Sequence, residues 1–398
     1  MPKYLTLDDI APQGRRVLLR VDLNVPMQDG KVGDATRIAR VAPTISELAE
    51  RGAAVVVMSH FGRPEGKPDP AFSLRPLVAP LAEAIGRPVA FAEDCVGPAA
   101  ERVVASVKPG GVALLENLRF HPEEEANDQG FAQSLARLGD LYVNDAFSAA
   151  HRAHASTEAI AHLLPAAAGR LMQAELEALG AALETPEHPV AALIGGAKVS
   201  TKLDLLAFII PKVDALVIGG AMANTLLAAQ GVAIGKSLSE RDMADAARRL
   251  IDQAKKAGCV LLLPVDAVAA RSVEAGATSA TVPIDRVPAD EMILDIGPRT
   301  VAAIGDRLAE CRTLVWNGPL GAFETPPFDA GTTAVARRVA KLTKAKKLLS
   351  VAGGGDTVAA LAHAGVIDDL SYVSTAGGAF LEWLEGRTLP GVAALERR

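Results

Sequence analysis

Two groups of residues in this 398-residue chain have the types and spacing to do chemistry, one in each half. In the first half, cations follow short apolar runs. His60 and Arg63 lie in Ser59-His60-Phe61-Gly62-Arg63-Pro64, Arg119 in Glu116-Asn117-Leu118-Arg119-Phe120, and Arg152 in His151-Arg152-Ala153-His154. Arg37 opens a helical stretch. Guanidinium forks match the oxygens of phosphate and carboxylate, so arginines gathered along one sheet edge make a site for a small polyanion. Asp22 and Asn24, in Asp22-Leu23-Asn24-Val25-Pro26, suit hydroxyl groups and not phosphate. The implied ligand is small, phosphorylated and hydroxylated. One such arginine alone would be an ordinary solvated charge, but four together, three at strand ends and one at a helix start, are a pattern.

The second half ends its apolar runs in glycine. Gly195-Gly196 precedes Lys198 and Lys202, Gly219-Gly220 precedes a helical stretch, and Asn317-Gly318-Pro319 follows Thr313–Trp316. Gly353-Gly354-Gly355-Asp356-Thr357 joins a short apolar run to another helix. Bare backbone approaches a ligand closely, and a helix start offers unpaired N–H groups to phosphate. Asp356 at such a start either caps the helix or holds a metal ion between itself and a phosphate. Glu324 is placed to take ribose hydroxyls. Arg37 and Lys202 both put a cation where the helix dipole disfavours one, which a docked anion would explain, as would side chains that simply point into water. Ser200 and Thr201 look like N-caps ahead of Lys202.

An anionic-substrate site in one half and a nucleotide site in the other predict phosphoryl transfer between them. His60 is the one candidate general base. None is needed if the attacking group is a carboxylate, which is ionised at neutral pH. Catalysis is then positioning plus neutralisation of charge by Arg37, Lys198 and magnesium. The two sites must close together and exclude water, or ATP would be hydrolysed.

The elements that carry these residues repeat. Apolar runs of a few residues occur at 16–21, 53–58, 88–91, 112–115 and 141–143, and again at 190–194, 213–218, 259–263, 313–316 and 347–351. Helical patterns fill gaps between them. In 38–51, Ile38, Val41, Ala42, Ile45, Leu48 and Ala49 share one face and Gly52 ends the stretch. Buried strands alternating with helices predict an α/β protein with doubly wound, mainly parallel sheets, whose ligands sit at the carboxyl ends of strands. Met172, Leu176, Leu179 and Leu183 keep helical step within 165–190, and Thr185–Pro189 ends that connecting helix.

Composition narrows the function classes. With 49% hydrophobic and 22% charged residues the chain can bury a large core. A net charge of −6 and only 4% aromatic residues argue against nucleic-acid binding. Cys95, Cys259 and Cys311 form neither a zinc spacing nor a disulfide framework, which suits the cytoplasm, and the first fourteen residues lack the apolar core of a signal peptide. The charge-free run 215–235 is interrupted by Gly219-Gly220, Asn224 and Gln230, and predicts strand, turn and buried helix in place of a membrane span. No GxGxxG follows the first strand, which argues against a nicotinamide dehydrogenase. Gly231–Ser237 imitates a P-loop but is one residue short and follows a helix, so it reads as a loop. A regulatory protein that holds a nucleotide without turnover is disfavoured because both half-sites are complete.

Eight segments, in order along nearly the whole chain, resemble the signature segments of the phosphoglycerate kinase family. They are 21–26 (VDLNVP), 59–64 (SHFGRP), 116–120 (ENLRF), 144–147 (NDAF), 151–156 (HRAHAS), 195–202 (GGAKVSTK), 316–319 (WNGP) and 353–357 (GGGDT). The resemblance implies a monomer of two Rossmann-like, three-layer domains joined by a hinge helix. Residues 1–168 would bind phosphoglycerate, 169–185 connect, 186–376 bind nucleotide, and the tail 377–398 return to the first domain. It implies 3-phosphoglycerate or 1,3-bisphosphoglycerate on Asp22, Asn24, Arg37, His60, Arg63, Arg119 and Arg152. It implies ATP or ADP on Gly196, Lys198, Lys202, Gly220, Asn317, Glu324, Gly354, Gly355, Asp356 and Thr357, with Mg2+ on Asp356 and catalytic roles for Arg37, Lys198 and Gly354. Ser148 and Ala376 stand where the family often has glycine, and Phe380 where it often has serine.

Overall fold

The computed structural model describes residues 4–28 and 30–396. Residues 1–3 and 397–398, at the outer ends of the two segments expected in the first domain, lie outside the described residues, as does residue 29. The chain forms two compact units, one running up to Leu176 and resuming at Thr388, the other spanning Glu177–Arg387.

The first unit is built on six parallel strands in the spatial order Val89–Phe91, Val112–Leu114, Ala54–Met58, Arg16–Arg20, Leu141–Asn144, Ala166–Ala168. Ala54–Met58 is buried at every position, as a strand covered on both faces must be. The helix Thr36–Glu50 lays Ile38, Val41, Ile45 and Leu48 onto this sheet. Each such side chain removed from water stabilises the unit by about 1.5–3 kcal/mol. The edge strand Ala166–Ala168 was not legible in sequence, because three alanines carry no β signature and Pro165 reads as a helix start.

The second unit has its own six parallel strands: Val260–Leu262, Ala215–Ile218, Val190–Ile194, Thr313–Asn317, Leu349–Gly353, Tyr372–Ser374. In chain order this is 3-2-1-4-5-6, the doubly wound order whose crevice opens where strand order reverses. That point lies between Val190–Ile194 and Thr313–Asn317. The structure adds a feature not anticipated from sequence, a three-stranded antiparallel sheet of Ser279–Pro283, Asp266–Ala270 and Met292–Ile296. The run 215–235 is indeed a strand, a turn at Gly219 and the helix Gly220–Ala229, and Gly231–Ser237 is a loop. Among the described residues no helix is long and apolar enough to cross a membrane.

The helix Arg170–Leu179 carries the chain from the first unit into the second and is followed by a π-turn at Gly180–Glu184. The returning segment starts at Thr388, later than the expected 377. The helix Gly377–Leu384 stays with the second unit because Phe380 packs on Gly353, where a Cβ would lie 2.6 Å from the ring, and Gly386 lies flat against Phe208. Beyond it, the Gly391 N–H donates to the Ala150 carbonyl at 2.9 Å, and Glu396 bridges Tyr4.

Candidate active site

At the carboxyl end of Arg16–Arg20 the chain turns through Asp22, which is buried. Its Oδ2 accepts from Arg37 Nη1 at 2.6 Å and from the Ser148 hydroxyl, and its Oδ1 accepts from the Asn24 N–H at 2.9 Å. Burial alone would push this carboxyl up, but the Arg37 guanidinium and the two further donors hold it below its usual range. Asn24 Oδ1 accepts from the Gly62 N–H at 3.0 Å, tying this turn to the one that follows Ala54–Met58. Arg119 Nη1 donates to the Gly62 carbonyl at 2.8 Å, while its Nε faces Glu125 at 3.1 Å. Burial depresses the Arg119 pKa, and Arg20 and Arg152 depress it further against the pull of Glu125. Like charges therefore converge at this edge, an arrangement that an anion relieves. Arg63 and Arg152 are exposed, and Arg152 Nε donates to His151 Nε2 at 3.2 Å.

Beneath the exposed arginines lies a layer that the sequence did not reveal. Arg20 is fully buried, donating to Ser156 Oγ at 2.9 Å, to the Val21 carbonyl at 2.5 Å and to His60 Nδ1 at 3.1 Å. Ser156 passes the contact on by donating its hydroxyl to Glu124 at 2.6 Å, and Glu124 is wholly buried. Burial and the Arg20 cation push His60 well below an ordinary histidine, and burial with Arg20 and Arg119 brings His154 down to about 3. Both rings are neutral at physiological pH. His60 does not serve as a general base, because its Nδ1 is occupied by Arg20. Arg20 was invisible in sequence because it falls inside an apolar run, where alternation assigned it no role.

In the second unit four strand ends meet. Gly195 leaves no room for a side chain, since a Cβ would sit 1.8 Å from the Pro319 carbonyl oxygen. Gly220 adopts a φ of +65°, and a Cβ there would lie 2.7 Å from the Gly196 oxygen. Lys202 Nζ donates to the Gly195 carbonyl and to Asn317 Oδ1, each at 2.6 Å. Asn317 Nδ2 donates in turn to the Gly353 carbonyl at 2.8 Å, and the Gly318 N–H donates to Thr357 Oγ1 at 2.7 Å. Burial brings the Lys202 amine down to about 8, while the nearby Asp356 carboxylate acts the other way. Ser200 and Thr201 do not cap this segment, since their hydroxyls donate to Glu240 and to the Lys198 carbonyl. Nor does Asp356 cap a helix. Gly354 is the N-cap of Gly355–His363, at φ +98°, and Asp356 lies within the first turn, exposed. Helix Gly220–Ala229 likewise starts without a side-chain cap. Two helix starts without side-chain caps thus flank the strand-order reversal, a placement suited to an anion, although the Gly220 and Met222 N–H groups already donate to the Leu320 and Gly196 carbonyls.

Beside these glycines opens a cavity of about 390 Å³. Gly196, Gly220, Glu324 and Asp356 lie on its lining, and Leu294, Leu320 and Phe323 supply apolar walls. Its floor comes partly from Met292–Ile296 of the antiparallel sheet. A size of this order, mostly apolar with a few polar groups, suits a purine nucleoside. Lys198 is exposed beside it.

A model of the family described as phosphoglycerate kinase matches residues 7–387. The chain is 64% identical to phosphoglycerate kinase of Methylorubrum extorquens, covering 99% of each chain, and 60% identical to that of Allorhizobium ampelinum over the full length of both. The chain belongs to the phosphoglycerate kinase family. The solved phosphoglycerate kinase of Coxiella burnetii superposes with a TM-score of 0.92 at 43% identity, and that of Pyrococcus horikoshii with 0.78 at 32%, each covering 98% of both chains. The fold is thus the α/β, two-sheet architecture of phosphoglycerate kinases, and the chain is a kinase.

Against the phosphoglycerate kinase pattern, the three departing positions have definite surroundings. Ser148 donates to Asp22. Phe380 is fully buried against Gly353, beneath the glycine turn. Ala376 is the N-cap of Gly377–Leu384, and its N–H donates to Ser374 Oγ at 3.2 Å.

Proposed function

We propose that the two strand-end clusters divide the phosphoglycerate kinase reaction between them. The enzyme transfers a phosphoryl group reversibly between 1,3-bisphosphoglycerate and ADP, giving 3-phosphoglycerate and ATP. In the first unit, Arg63, Arg119 and Arg152 take the charged oxygens of the phosphorylated acid, Asp22 and Asn24 its hydroxyl, and His60 donates a hydrogen bond. In the second, Gly196, Gly220 and Glu324 seat the nucleoside, and Lys198, Lys202, Asn317 and Gly354–Thr357 hold its phosphates. Arg37, Lys198 and the Gly354 backbone offset the charge that builds on the moving phosphoryl group.

Asp356 fits a magnesium ion, being an exposed carboxylate at an uncapped helix start, on the cavity lining and within electrostatic reach of Lys202. One carboxylate together with phosphate oxygens is the usual protein share of such a site. When bound, the ion neutralises phosphate charge. The enzyme is placed in the cytoplasm, where its three buried cysteines stay free thiols, and is taken to act as a monomer.

The observation that carries this division is the contrast in chemistry between the two clusters, cationic in the first unit and bare backbone at a strand-order reversal in the second. A coupled assay of ATP formation from 1,3-bisphosphoglycerate, joined to calorimetry, tests it. Arg63→Ala and Arg119→Ala should weaken 3-phosphoglycerate binding and spare the nucleotide, while Lys198→Ala and Gly220→Ala should do the reverse. Equal losses for both ligands in every variant would overturn the division.

A further inference from the structure

Outside both clusters, three side chains of unlike chemistry converge in the first unit. Asp94 and Cys95 follow the strand Val89–Phe91, and His121 sits between the turn Leu118–Phe120 and the helix Pro122–Glu125. Their ligand atoms, a carboxylate oxygen, Sγ and a ring nitrogen, all lie within 4.8 Å of one another. His121 Nε2 is 2.7 Å from Asp94 Oδ1, and the Cys95 N–H donates to that same oxygen at 2.7 Å. The His121 ring rests against Phe131, centroids 5.1 Å apart, which limits its rotation. Cys95 is fully buried, whereas Asp94 and His121 are partly exposed, so the cluster has a closed floor and an open mouth.

We infer that Asp94, Cys95 and His121 form a binding site for a borderline-soft divalent cation of the zinc class. The donor set decides the class. Thiolate and imidazole favour Zn2+ and Co2+, while magnesium prefers oxygen ligands and keeps its waters, so the nucleotide's ion is not the one held here. Three protein donors leave a fourth tetrahedral position for water. Donors on a tetrahedral zinc ion lie about 3.5 Å apart, so the 2.7 Å Asp94–His121 contact must open and the wider separations narrow, by rotation of Asp94 and Cys95 while Phe131 holds the His121 ring. Burial, with Asp94 and Glu124 nearby, pushes the Cys95 thiol well above its ordinary range. These negative surroundings oppose a bare thiolate but favour one neutralised by a dication. On binding, the thiol proton passes to solvent and the sulfur takes the metal in its place. His121 is two residues from Arg119, so the cation would fasten the loop carrying Cys95 to the loop carrying that arginine.

Titration of the full chain with Co2+, followed by absorption, tests the site. One equivalent should produce a near-ultraviolet thiolate-to-cobalt charge-transfer band with visible d–d bands, and added Zn2+ should abolish both. Cys95→Ser should remove the charge-transfer band, whereas Cys259→Ser and Cys311→Ser should keep it. Because Cys95 is buried and its variant could misfold, His121→Gln, at a partly exposed position, provides a second arm, with Co2+ affinity falling at least about tenfold. No band at stoichiometric Co2+, or a band that survives in folded Cys95→Ser or at full affinity in His121→Gln, overturns the site.

Discussion

Nη2 of Arg20 lies 3.1 Å from Nδ1 of His60, and both side chains are buried. A guanidinium has donors only, so Nδ1 must accept and the ring proton must sit on Nε2. The donor that His60 can offer a ligand is therefore its Nε2–H, from a neutral ring. In nitrogen-15 spectra, His60 should remain a single Nε2–H tautomer through the ordinary histidine range, because burial and Arg20 hold its pKa well below 6.5. His60→Gln carries an amide donor near the Nε2 position and His60→Asn does not. The Asn variant should bind 3-phosphoglycerate about tenfold more weakly, the cost of one hydrogen bond to a charged group, and the Gln variant should lose less. The opposite order would mean that the ring acts from Nδ1.

Arg37 is the partner of Asp22 and keeps a side chain 38% exposed. It is thus held at the site yet free to turn toward an incoming phosphoryl group. Arg37→Ala should lower kcat by about 10²–10³, the effect of removing one donor that stabilises charge in the transition state, with a smaller change in KM. Steady-state kinetics with 3-phosphoglycerate varied settles the point, and an unchanged kcat would reject the role.

Ser148 bridges the strand-order reversal of the first sheet, since it follows Leu141–Asn144 and donates to Asp22 beyond the neighbouring Arg16–Arg20. Ser148→Gly removes one of the donors that fix the Asp22 carboxylate. The KM for 3-phosphoglycerate should rise about fivefold, equivalent to about 1 kcal/mol, with kcat little altered. A change confined to kcat would place Ser148 in the chemical step instead.

How far the sequence revealed these features depended on the kind of signal each residue carried. Ten of the twelve parallel strands announced themselves as apolar runs, because most of their positions are apolar, including in the partly exposed edge strands Val89–Phe91 and Val260–Leu262. Ala166–Ala168 and Tyr372–Ser374 did not, being short edge strands of small or mixed residues. Met292–Ile296 is an apolar run too, bounded by Glu291 and Gly297-Pro298, and that signal could have located the wall of the cavity. Asp22, His60, Arg119 and Asn317 were legible because polar residues soon after apolar runs fall at strand ends, and Lys202 because it puts a cation at a helix start. Arg20 and Glu124 were not, since a buried hydrogen-bond chain relayed through Ser156 is a three-dimensional fact with no spacing rule. The capping roles given to Ser200 and Thr201 failed because Glu240, forty residues away, takes the Ser200 hydroxyl and the Lys198 carbonyl takes that of Thr201.

Asp356→Asn separates the metal from the rest of the nucleotide site. The side chain is exposed and is not the N-cap of its helix, so its loss should leave the fold intact. Affinity for ADP should become nearly independent of added Mg2+, while 3-phosphoglycerate binding stays unchanged. Calorimetric titration of both ligands, with and without the ion, checks this. A parallel loss for 3-phosphoglycerate would show that Asp356 serves the architecture and not the metal.

Lys202 offers a test through protons. Burial lowers its amine to about 8 from 10.5, so above about pH 8 much of the free enzyme carries it neutral. A polyphosphate docked beside Nζ favours the ammonium form, so binding must draw a proton from solvent wherever the free amine is already deprotonated. Calorimetric titration of ADP at about pH 8.5, in buffers of different ionisation enthalpy, should give heats that depend on the buffer. At about pH 6.5, where the free amine is already charged, the uptake through Lys202 should be absent, and Lys202→Met should abolish the uptake seen at about pH 8.5. The same shift has a consequence for folding. Between about pH 8 and 10.5 the unfolded chain holds a proton that the folded protein has released, so the contribution of Lys202 to stability rises with pH across that window. In Lys202→Met this slope should flatten. Buffer-independent heats at both pH values would mean that the amine stays charged in the free enzyme, held so by its bonds to the Gly195 carbonyl and Asn317 Oδ1.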